Sequence, residues 1–163
     1  MSLDIRDVRY SDYGFLCEAF AQSNARHIEM RDDLYREVNQ VMPKYLFNAL
    51  VSLKHVGLKK DVCVRIAEQG DQPVGAVFAV SEARSSLSWS KFPKEVSLDN
   101  IIVIPEYRQT GIGTALLQAA KAWAKDTGHE YMHAKILKQN DASLRLFKKA
   151  GLSVDSHNVG CHL

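Results

Sequence analysis

The chain has 163 residues, the size of one compact domain with a single hydrophobic core. Hydrophobic residues make up 46% and charged residues 25%, proportions that exclude disorder and collagen-like sequence for the chain as a whole. The 21 basic and 19 acidic side chains give a net charge of +2, without the basic excess that nucleic-acid binding usually needs. We therefore expect one domain over residues 1–163 and no nucleic-acid partner.

The N-terminus, the apolar runs and the cysteines bear on the location of the protein. The first residues are too charged for a secretory signal, and the longest strongly apolar run, residues 74–80, is far shorter than the roughly 20 residues that cross a bilayer. Cys17, Cys63 and Cys161 form no Cys-x-x-Cys pair, and an odd, scattered count suits a reducing compartment. These features predict a soluble, cytoplasmic protein with no membrane partner.

The first half of the chain predicts a strand, two helices and a hairpin. Residues 3–8 predict the strand, and capping residues precede an amphipathic helix. The apolar spacing over residues 35–53 predicts a second helix, which an internal proline kinks or splits. Residues 62–67 and 74–80 are two strand-like runs joined by a Gly- and Pro-containing turn, which predicts a hairpin.

The second half of the chain alternates strands with helices. We expect a serine-rich loop at 81–93, a strand at 96–104, a helix at 114–125, a strand at 131–137, a helix at 141–150 and a last strand or short hairpin at 152–163. The whole order mixes a meander with crossover units. It predicts an α/β fold with one mixed sheet and helices on both of its faces.

The most informative segment, residues 101–114, reads IIVIPEYRQTGIGT. A buried strand runs into a tight turn that opens a helix, where several backbone N–H groups lack a partner and the helix dipole adds partial positive charge. Gly111 and Gly113 remove side chains where a ligand would approach the main chain, and Arg108 at the rim can add a charged contact. The segment is therefore a candidate site for a phosphate, above all a pyrophosphate.

Two nucleotide-binding motifs and a purely structural turn are the alternatives for this segment. A P-loop needs Gly-Lys-Ser/Thr, but Thr114 and Ala115 follow Gly113. A dinucleotide fingerprint needs a small residue where Leu116 stands, so that match is weak. The two glycines alone leave open a turn that simply joins a strand to a helix.

Two longer motifs decide between these alternatives. The run VIPEYRQTGIGTALL at 103–117 resembles the acetyl-CoA signature of the GNAT-type N-acetyltransferases, whose core pattern is Arg/Gln-x-x-Gly-x-Gly/Ala. Downstream, NDASLRLFKKAGL at 140–152 is similar to the final motif of that family, Asn-x-x-Ala followed by an aromatic residue and Gly-Phe. The resemblance implies the GNAT fold, acetyl-CoA as cosubstrate, no metal, and a small-molecule or peptide amine as the acceptor.

The resemblance also implies roles for individual residues. The pyrophosphate would be held by the backbone of Gln109, Thr110, Gly111, Ile112, Gly113 and Thr114, with Arg108 beside it. The pantetheine arm would pair, like an added strand, with the backbone of Ile101, Ile102, Val103 and Ile104. Asn140 would hydrogen-bond the arm, and Ser143 and Phe147 would lie close to it. The acetyl thioester would lie where the strands at 96–104 and 131–137 diverge.

Acetyl transfer needs a neutral amine, whereas a lysine-like amine with a pKa of about 10 is mostly protonated near neutrality. Asp99 stands four residues before Val103, where polyamine-type members of the family place an acidic catalytic residue, and it could remove the proton through water. Backbone N–H groups near Val103 would bind the oxyanion. The alternative for Asp99 is a turn cap or a partner for a surface cation.

The chain departs from the family pattern at two positions. Phe147 stands where the family commonly has a tyrosine that protonates coenzyme A, which leaves water, Tyr107, Tyr131 or Cys161 as other proton sources. Gln109 stands where glycine is usual, a change the loop tolerates if φ there is negative. The first departure keeps open a second hypothesis, a coenzyme-A-binding or sensing module without turnover. A third, an adapter with a vestigial site, has least support.

Two other patterns were weighed for function. HEYMH at 129–133 matches the zinc motif His-Glu-x-x-His, but it follows a helix stop, and in a strand the two imidazoles lie too far apart to share a metal. The cluster His27, Glu29, Asp32, Asp33 and Tyr35 could form an acidic acceptor side, or could be an ordinary solvated surface. The family often dimerises, so a homodimer is one open oligomeric state.

Overall fold

The computed structural model describes residues 2–37, 44, 47–48, 51, 61–83, 91 and 94–156. The elements with described bounds are β1 (Leu3–Asp7), α1 (Tyr13–Met30), β2 (Val62–Gln69), β3 (Gln72–Ala83), β4 (Lys94–Val103), α2 (Ile112–Asp126), β5 (Tyr131–His133) and α3 (Asp141–Lys149). Lys44, Phe47, Asn48 and Val51 are also helical, and we call these four residues the helical segment. No helix among the described residues is long and apolar enough to span a bilayer.

The strands form a single mixed sheet in the order β1-β2-β3-β4-β5. Neighbouring strands are antiparallel from β1 to β4, whereas β4 and β5 are parallel. Gly70 and Asp71, with φ of +58° and +62°, close the β2–β3 hairpin. The predicted hairpin and the predicted mixed sheet are confirmed.

Two apolar clusters cover the two faces of the sheet, because successive strand residues point to opposite sides. In the first, Leu116 and Trp123 of α2 pack with Cys63 of β2 and Val96 of β4. In the second, Leu16 of α1 and two residues of the helical segment, Phe47 and Val51, pack on the other face of the sheet. The strand residues buried in this cluster include Val64, Ile66 and Ala76. The predicted arrangement of helices on both faces is confirmed.

A buried ion-pair network anchors the start of α1 to the sheet. Arg6 of β1 donates to both carboxylate oxygens of Asp12 at 2.8 and 2.9 Å, and to Glu68 of β2 at 2.6 Å. Burial by itself raises the pKa of Asp12, but the bonds from Arg6 and from the Arg9 backbone N–H (2.6 Å) outweigh it, so the pKa is lowered. The network fixes where α1 begins.

Several predicted boundaries are wrong. Residues 35–37 are not helical, so the second helix does not begin at residue 35. The strand β3 continues to Ala83, into the predicted serine-rich loop, since it pairs with β4 that far. The strand β5 ends at His133 rather than at residue 137, and residues 152–156 form no strand. Residues 157–163, including Cys161, lie outside the described residues, as does Trp89 of the loop.

Candidate active site

The strands β4 and β5 diverge after a short paired stretch. They pair from Glu95 opposite Tyr131 to Ser97 opposite His133, and no described residue pairs with β4 on that side beyond Ser97. The backbone N–H of Ile104 donates to the Val74 carbonyl oxygen at 3.1 Å, toward β3. Since backbone groups alternate along a strand, those of Ile101 and Val103 face the open edge. That edge can accept an extended ligand as an added strand.

The other two residues of the predicted pantetheine site, Ile102 and Ile104, have backbone groups that face β3. Ile102 is 5% exposed, and a Cβ added to Gly75 would lie 2.9 Å from the Ile102 carbonyl oxygen, which places that carbonyl on the β3 side. The Ile104 amide is engaged by Val74, as stated above. The open edge is therefore presented by alternate residues of the predicted set, not by all four.

Asp99 occupies a β-bulge in β4. Asn100 pairs with Phe78 and Leu98 with Ala79, so Asp99 is the extra residue between them. A bulge turns a side chain out of the regular alternation and is frequent next to functional sites. The Ser97 hydroxyl donates to Asp99 Oδ1 at 2.8 Å, and the carboxylate is exposed. The sequence identified Asp99, but nothing in the sequence indicated the bulge.

We call residues 108–114, which run from the turn after β4 into the first turn of α2, the glycine loop. Gly111 precedes α2 with φ +92°, and the first i→i−4 bond of the helix runs from the Ala115 N–H to the Gly111 oxygen at 3.0 Å. The N–H groups of residues 112–114 therefore precede the helical bonding and point out of the helix start. Alternating left- and right-handed backbone of this kind forms a concave anion site.

The condition stated for Gln109, a negative φ, is not met. Its φ is +64°, in the left-handed region, rather than negative. Glycine is usual there because it adopts this conformation without steric cost, and Gln109 bears that cost. The turn is held by hydrogen bonds to its two sides: Thr110 Oγ1 donates to the Tyr107 oxygen at 2.6 Å, and Arg108 Nε donates to the Val103 oxygen at 3.0 Å. Arg108 thus connects the loop to the open edge.

The second motif, residues 140–152, begins at the N-cap of α3 and packs against the glycine loop. Asn140 caps the helix, because its Oδ1 accepts from the Ser143 N–H at 3.2 Å, which leaves its amide nitrogen as the group to bind a cofactor. Phe147 is 7% exposed and belongs to the α2-side core. Leu146, one residue earlier, lies 3.4 Å from a Cβ added at Gly113, so α3 packs directly against the loop.

A pocket of about 170 Å³ lies beneath α1, and we call it the α1 pocket. Its lining residues are Tyr13, Leu16, Cys17, Phe20, Phe47, Val64, Ala76, Val77, Phe78, Asp99, Asn100 and Ile102. They come from α1, the helical segment and three strands. Asp99 is the one Asp, Glu, Lys or Arg among these described residues, and it connects the pocket to β4. Apart from Asp99 and Ile102, none of these residues was predicted to belong to a site, because they occupy ordinary core positions in the sequence pattern.

Polar side chains lie beside the point where β4 and β5 diverge. His133 Nε2 is 3.7 Å from a carboxylate oxygen of Glu82 and of Glu95, and Glu95 is 1% exposed. The Tyr131 ring stacks on His133 at 6.2 Å, and its hydroxyl donates to Asp155. No sequence pattern indicated that Glu95 is buried, because a strand next to polar loops commonly exposes alternate residues.

The zinc-like string HEYMH is not a helix. His129 lies in the loop before β5 and is buried, with Nε2 2.7 Å from Ser81 Oγ, Nδ1 2.9 Å from Thr127 Oγ1, and its ring stacked on Trp123. His133 ends β5. The prediction that the string lacks its helical context is confirmed. Within the described residues no group of three His, Cys, Asp or Glu side chains could hold a metal.

The described residues that line the α1 pocket include no member of the cluster His27, Glu29, Asp32, Asp33 and Tyr35. Arg31 pairs with Asp33 at 2.6 Å, and His27 stacks on Tyr35 with ring centroids 5.3 Å apart. Burial, with a smaller effect of Arg26, lowers the pKa of His27. These side chains are engaged with one another at the C-terminal end of α1 and beyond it.

The comparisons with known proteins agree with this geometry. The profile of the Acetyltransferase (GNAT) family matches residues 25–152. The chain therefore belongs to the GNAT acetyltransferase family, and the resemblance found in its motifs is confirmed.

Individual relatives are distant. A variant of the BH1408 protein of Bacillus halodurans has the same fold, with a TM-score of 0.85 at 17% identity over 98% of this chain and 99% of that one. The aminoglycoside N-acetyltransferase AAC(6')-Iy, solved with CoA, gives 0.71 at 17% identity over 99% of this chain and 95% of that one. An uncharacterized N-acetyltransferase of Bacillus subtilis, YobR, is 39% identical over 56 residues, which span 34% of this chain and 23% of that protein.

Proposed function

We propose that the protein transfers the acetyl group of acetyl-CoA directly to a primary amine within a ternary complex. The observation that carries this proposal is the divergence of β4 from β5 directly beside the glycine loop. A site of this shape offers backbone donors for a pyrophosphate at one end and an open strand edge for an extended arm at the other. Acetyl-CoA has both parts, and it supplies an acetyl thioester for transfer.

The geometry supports an assignment of residues that would hold the cosubstrate. The backbone N–H groups of the glycine loop would bind the pyrophosphate, with Arg108 adding charge. Backbone groups of Ile101 and Val103 would pair with the arm, and the Asn140 amide nitrogen would donate to it. Leu146 and the neighbouring Phe147 back the loop from α3. Family membership and the CoA bound to AAC(6')-Iy support this assignment.

The chemical step assigns one role to Asp99 and one to the backbone. The Asp99 carboxylate would remove the ammonium proton through a water, which frees the nitrogen lone pair to form the new C–N bond. A backbone N–H at the open edge, that of Ile101 or of Val103, would stabilise the oxyanion as the C–S bond breaks. Phe147 has no proton to give and the Tyr131 hydroxyl already donates to Asp155, so coenzyme A would leave as its thiolate and take a proton from water.

Calorimetry with acetyl-CoA and thiol release with an amine panel test this function. We expect acetyl-CoA to bind and at least one amine to release thiol. Asp99→Asn should lower kcat by about a hundredfold or more, because general-base catalysis contributes roughly 10²–10⁴-fold, with little change in acetyl-CoA affinity. Asp126→Asn, an exposed carboxamide substitution at the end of α2, is the matched control and should leave both unchanged.

Two results would count against the proposal. If acetyl-CoA does not bind at millimolar concentration, the cofactor assignment is wrong. If Asp99→Asn loses acetyl-CoA binding together with turnover, Asp99 has a folding role. A third result, tight binding without thiol release from any amine, supports the second candidate function, a coenzyme-A sensor, which Phe147 favours because it lacks the hydroxyl of the usual tyrosine. A single domain, a cytoplasmic location and a homodimer stay predictions.

A further inference from the structure

We infer that the acceptor is a primary amine with a single cationic group and one apolar substituent about the size of a phenyl ring, which the α1 pocket holds. The inference rests on the proposed acetyl transfer and names its acceptor class. It follows from the described residues that line the pocket, from the pocket volume and from the position of the one carboxylate among those residues.

The wall of the α1 pocket is apolar and aromatic. Tyr13 and Phe47 meet with ring centroids 5.2 Å apart and planes tilted by 48°, a favourable aromatic arrangement that fixes both rings. Phe20 of α1 and Phe78 of β3 complete the aromatic side. Pockets lined in this way bind apolar groups, with a few polar atoms that fix the orientation of the ligand.

The volume of the pocket limits the substituent. The pocket holds about 170 Å³, and an engineered apolar cavity of about 150 Å³ binds benzene. A single aromatic ring or a branched alkyl chain therefore fills it.

The charge of the pocket limits the number of cationic groups. Asp99 stands at the β-bulge, where the pocket meets β4, and no other described lining residue is an Asp or Glu. One ammonium can pair with this carboxylate and lie beside the open strand edge. A second ammonium further along the ligand would lie against apolar side chains, and an unpaired charge there is strongly disfavoured.

Acceptor kinetics with 2-phenylethylamine, ethylamine and spermidine test the inference. We expect kcat/KM for 2-phenylethylamine to be at least tenfold above the values for the other two amines, since each buried apolar group is worth about tenfold or more in specificity. If spermidine equals or exceeds 2-phenylethylamine, the inference is wrong while acetyl transfer stands.

A pair of variants on one helix separates the pocket from the fold. Phe20 and Phe15 are both half-buried, belong to α1 and pack on the same apolar cluster, but Phe20 alone of the two lines the pocket. Phe20→Ala should lower kcat/KM for 2-phenylethylamine about tenfold and change ethylamine less than twofold. Phe15→Ala should change neither by more than twofold. Equal effects of the two variants on 2-phenylethylamine would overturn the inference.

Calorimetry distinguishes failure of the inference from failure of the proposed function. With acetyl-CoA-loaded protein, 2-phenylethylamine should bind, and Phe20→Ala should weaken that binding about tenfold. If this binding is seen but no amine releases thiol, the acetyl transfer is wrong and the pocket assignment stands. If 2-phenylethylamine neither binds nor reacts, the pocket assignment is wrong.

Discussion

The glycine loop and the α1 pocket both adjoin β4, but they are built from different groups. The loop offers backbone N–H groups at the start of α2, and its conformation depends on positive φ values at Gln109 and Gly111. The pocket offers side chains from α1, the helical segment and three strands, which meet only because the sheet and the helices are packed. The two regions should therefore respond to different substitutions.

This difference has a physical consequence for affinity and specificity. A backbone site depends on local conformation and is indifferent to most side chains, so it suits a cosubstrate that never changes. A side-chain site depends on packing across distant segments and changes with each substitution. The following substitutions test that contrast, beginning with the largest expected effect.

Among these substitutions, Asp12→Ala should have the largest effect. It lowers the free energy of unfolding by loosening the start of α1, the helix above the pocket. Asp12 is 2% exposed and takes two bonds from Arg6, so its removal leaves the largely buried guanidinium with Glu68 and the Asp7 carbonyl oxygen. Breaking a buried pair costs about 3 kcal/mol or more. We expect the free energy of unfolding, measured with urea, to fall by about that amount, whereas exposed Asp4→Ala should change it by less than about 0.5 kcal/mol.

The pH dependence of that effect has a definite sign. Because the folded pKa of Asp12 is lowered below the unfolded value of about 3.9, the unfolded state binds more protons in acid. The stabilisation is fully present above the unfolded pKa and is lost as the pH falls through the folded pKa. The difference between wild type and Asp12→Ala should therefore shrink below about pH 4. An equal difference at about pH 7 and in strong acid would contradict this origin.

Gly111→Val should have the next largest effect, on the cofactor side. A β-branched residue at φ +92° is strained by about 2 kcal/mol, and relief of the strain moves the N–H groups at the start of α2. We expect acetyl-CoA to bind about 30-fold more weakly by calorimetry, the same 2 kcal/mol as an affinity.

Gly128→Val is the matched control, because Gly128 follows α2 with φ +80° and also has open space around its Cβ position. Both variants should lose similar stability, but the control should retain acetyl-CoA affinity. Equal weakening of acetyl-CoA binding would mean that the loop geometry does not matter specifically.

The same contrast explains how much could be predicted from the sequence. The strand, turn and helix around Gly111 are continuous in the chain, so their residue types were sufficient to predict the loop and the family. The order of elements along the chain, and one mixed sheet with helices on both faces, were also predicted from local apolar periodicity. A local sequence pattern predicts only those contacts that the pattern itself determines.

The α1 pocket could not be predicted, for a physical reason. Phe20, Phe47 and Phe78 each occupy an ordinary core position in their own element, and only tertiary packing leaves a space between them. The bulge at Asp99 depends on pairing with β3, and the early end of β5 depends on divergence from β4. The burial of His129 within its loop depends on Ser81, which comes from the distant strand β3.

Gln109→Gly should have the smallest effect and gives the sharpest test of the contrast. Left-handed backbone costs a non-glycine residue about 1–2 kcal/mol, whereas glycine loses about 0.5–1 kcal/mol more entropy on folding. We expect a net stabilisation of about 0.5 kcal/mol. Asp71→Gly, at φ +62° in the β2–β3 turn, relieves the same strain outside the site and should stabilise similarly.

Acetyl-CoA affinity then separates the two explanations of the loop. If the loop binds through its backbone, Gln109→Gly keeps the φ value and leaves the dissociation constant within about twofold, as Asp71→Gly does. Gln109→Ala, which removes the side chain but keeps the strain, should bind equally well. A loss beyond about threefold in both Gln109 variants would mean that the glutamine side chain contacts the cosubstrate. The glycine loop would then depend on side chains as the α1 pocket does.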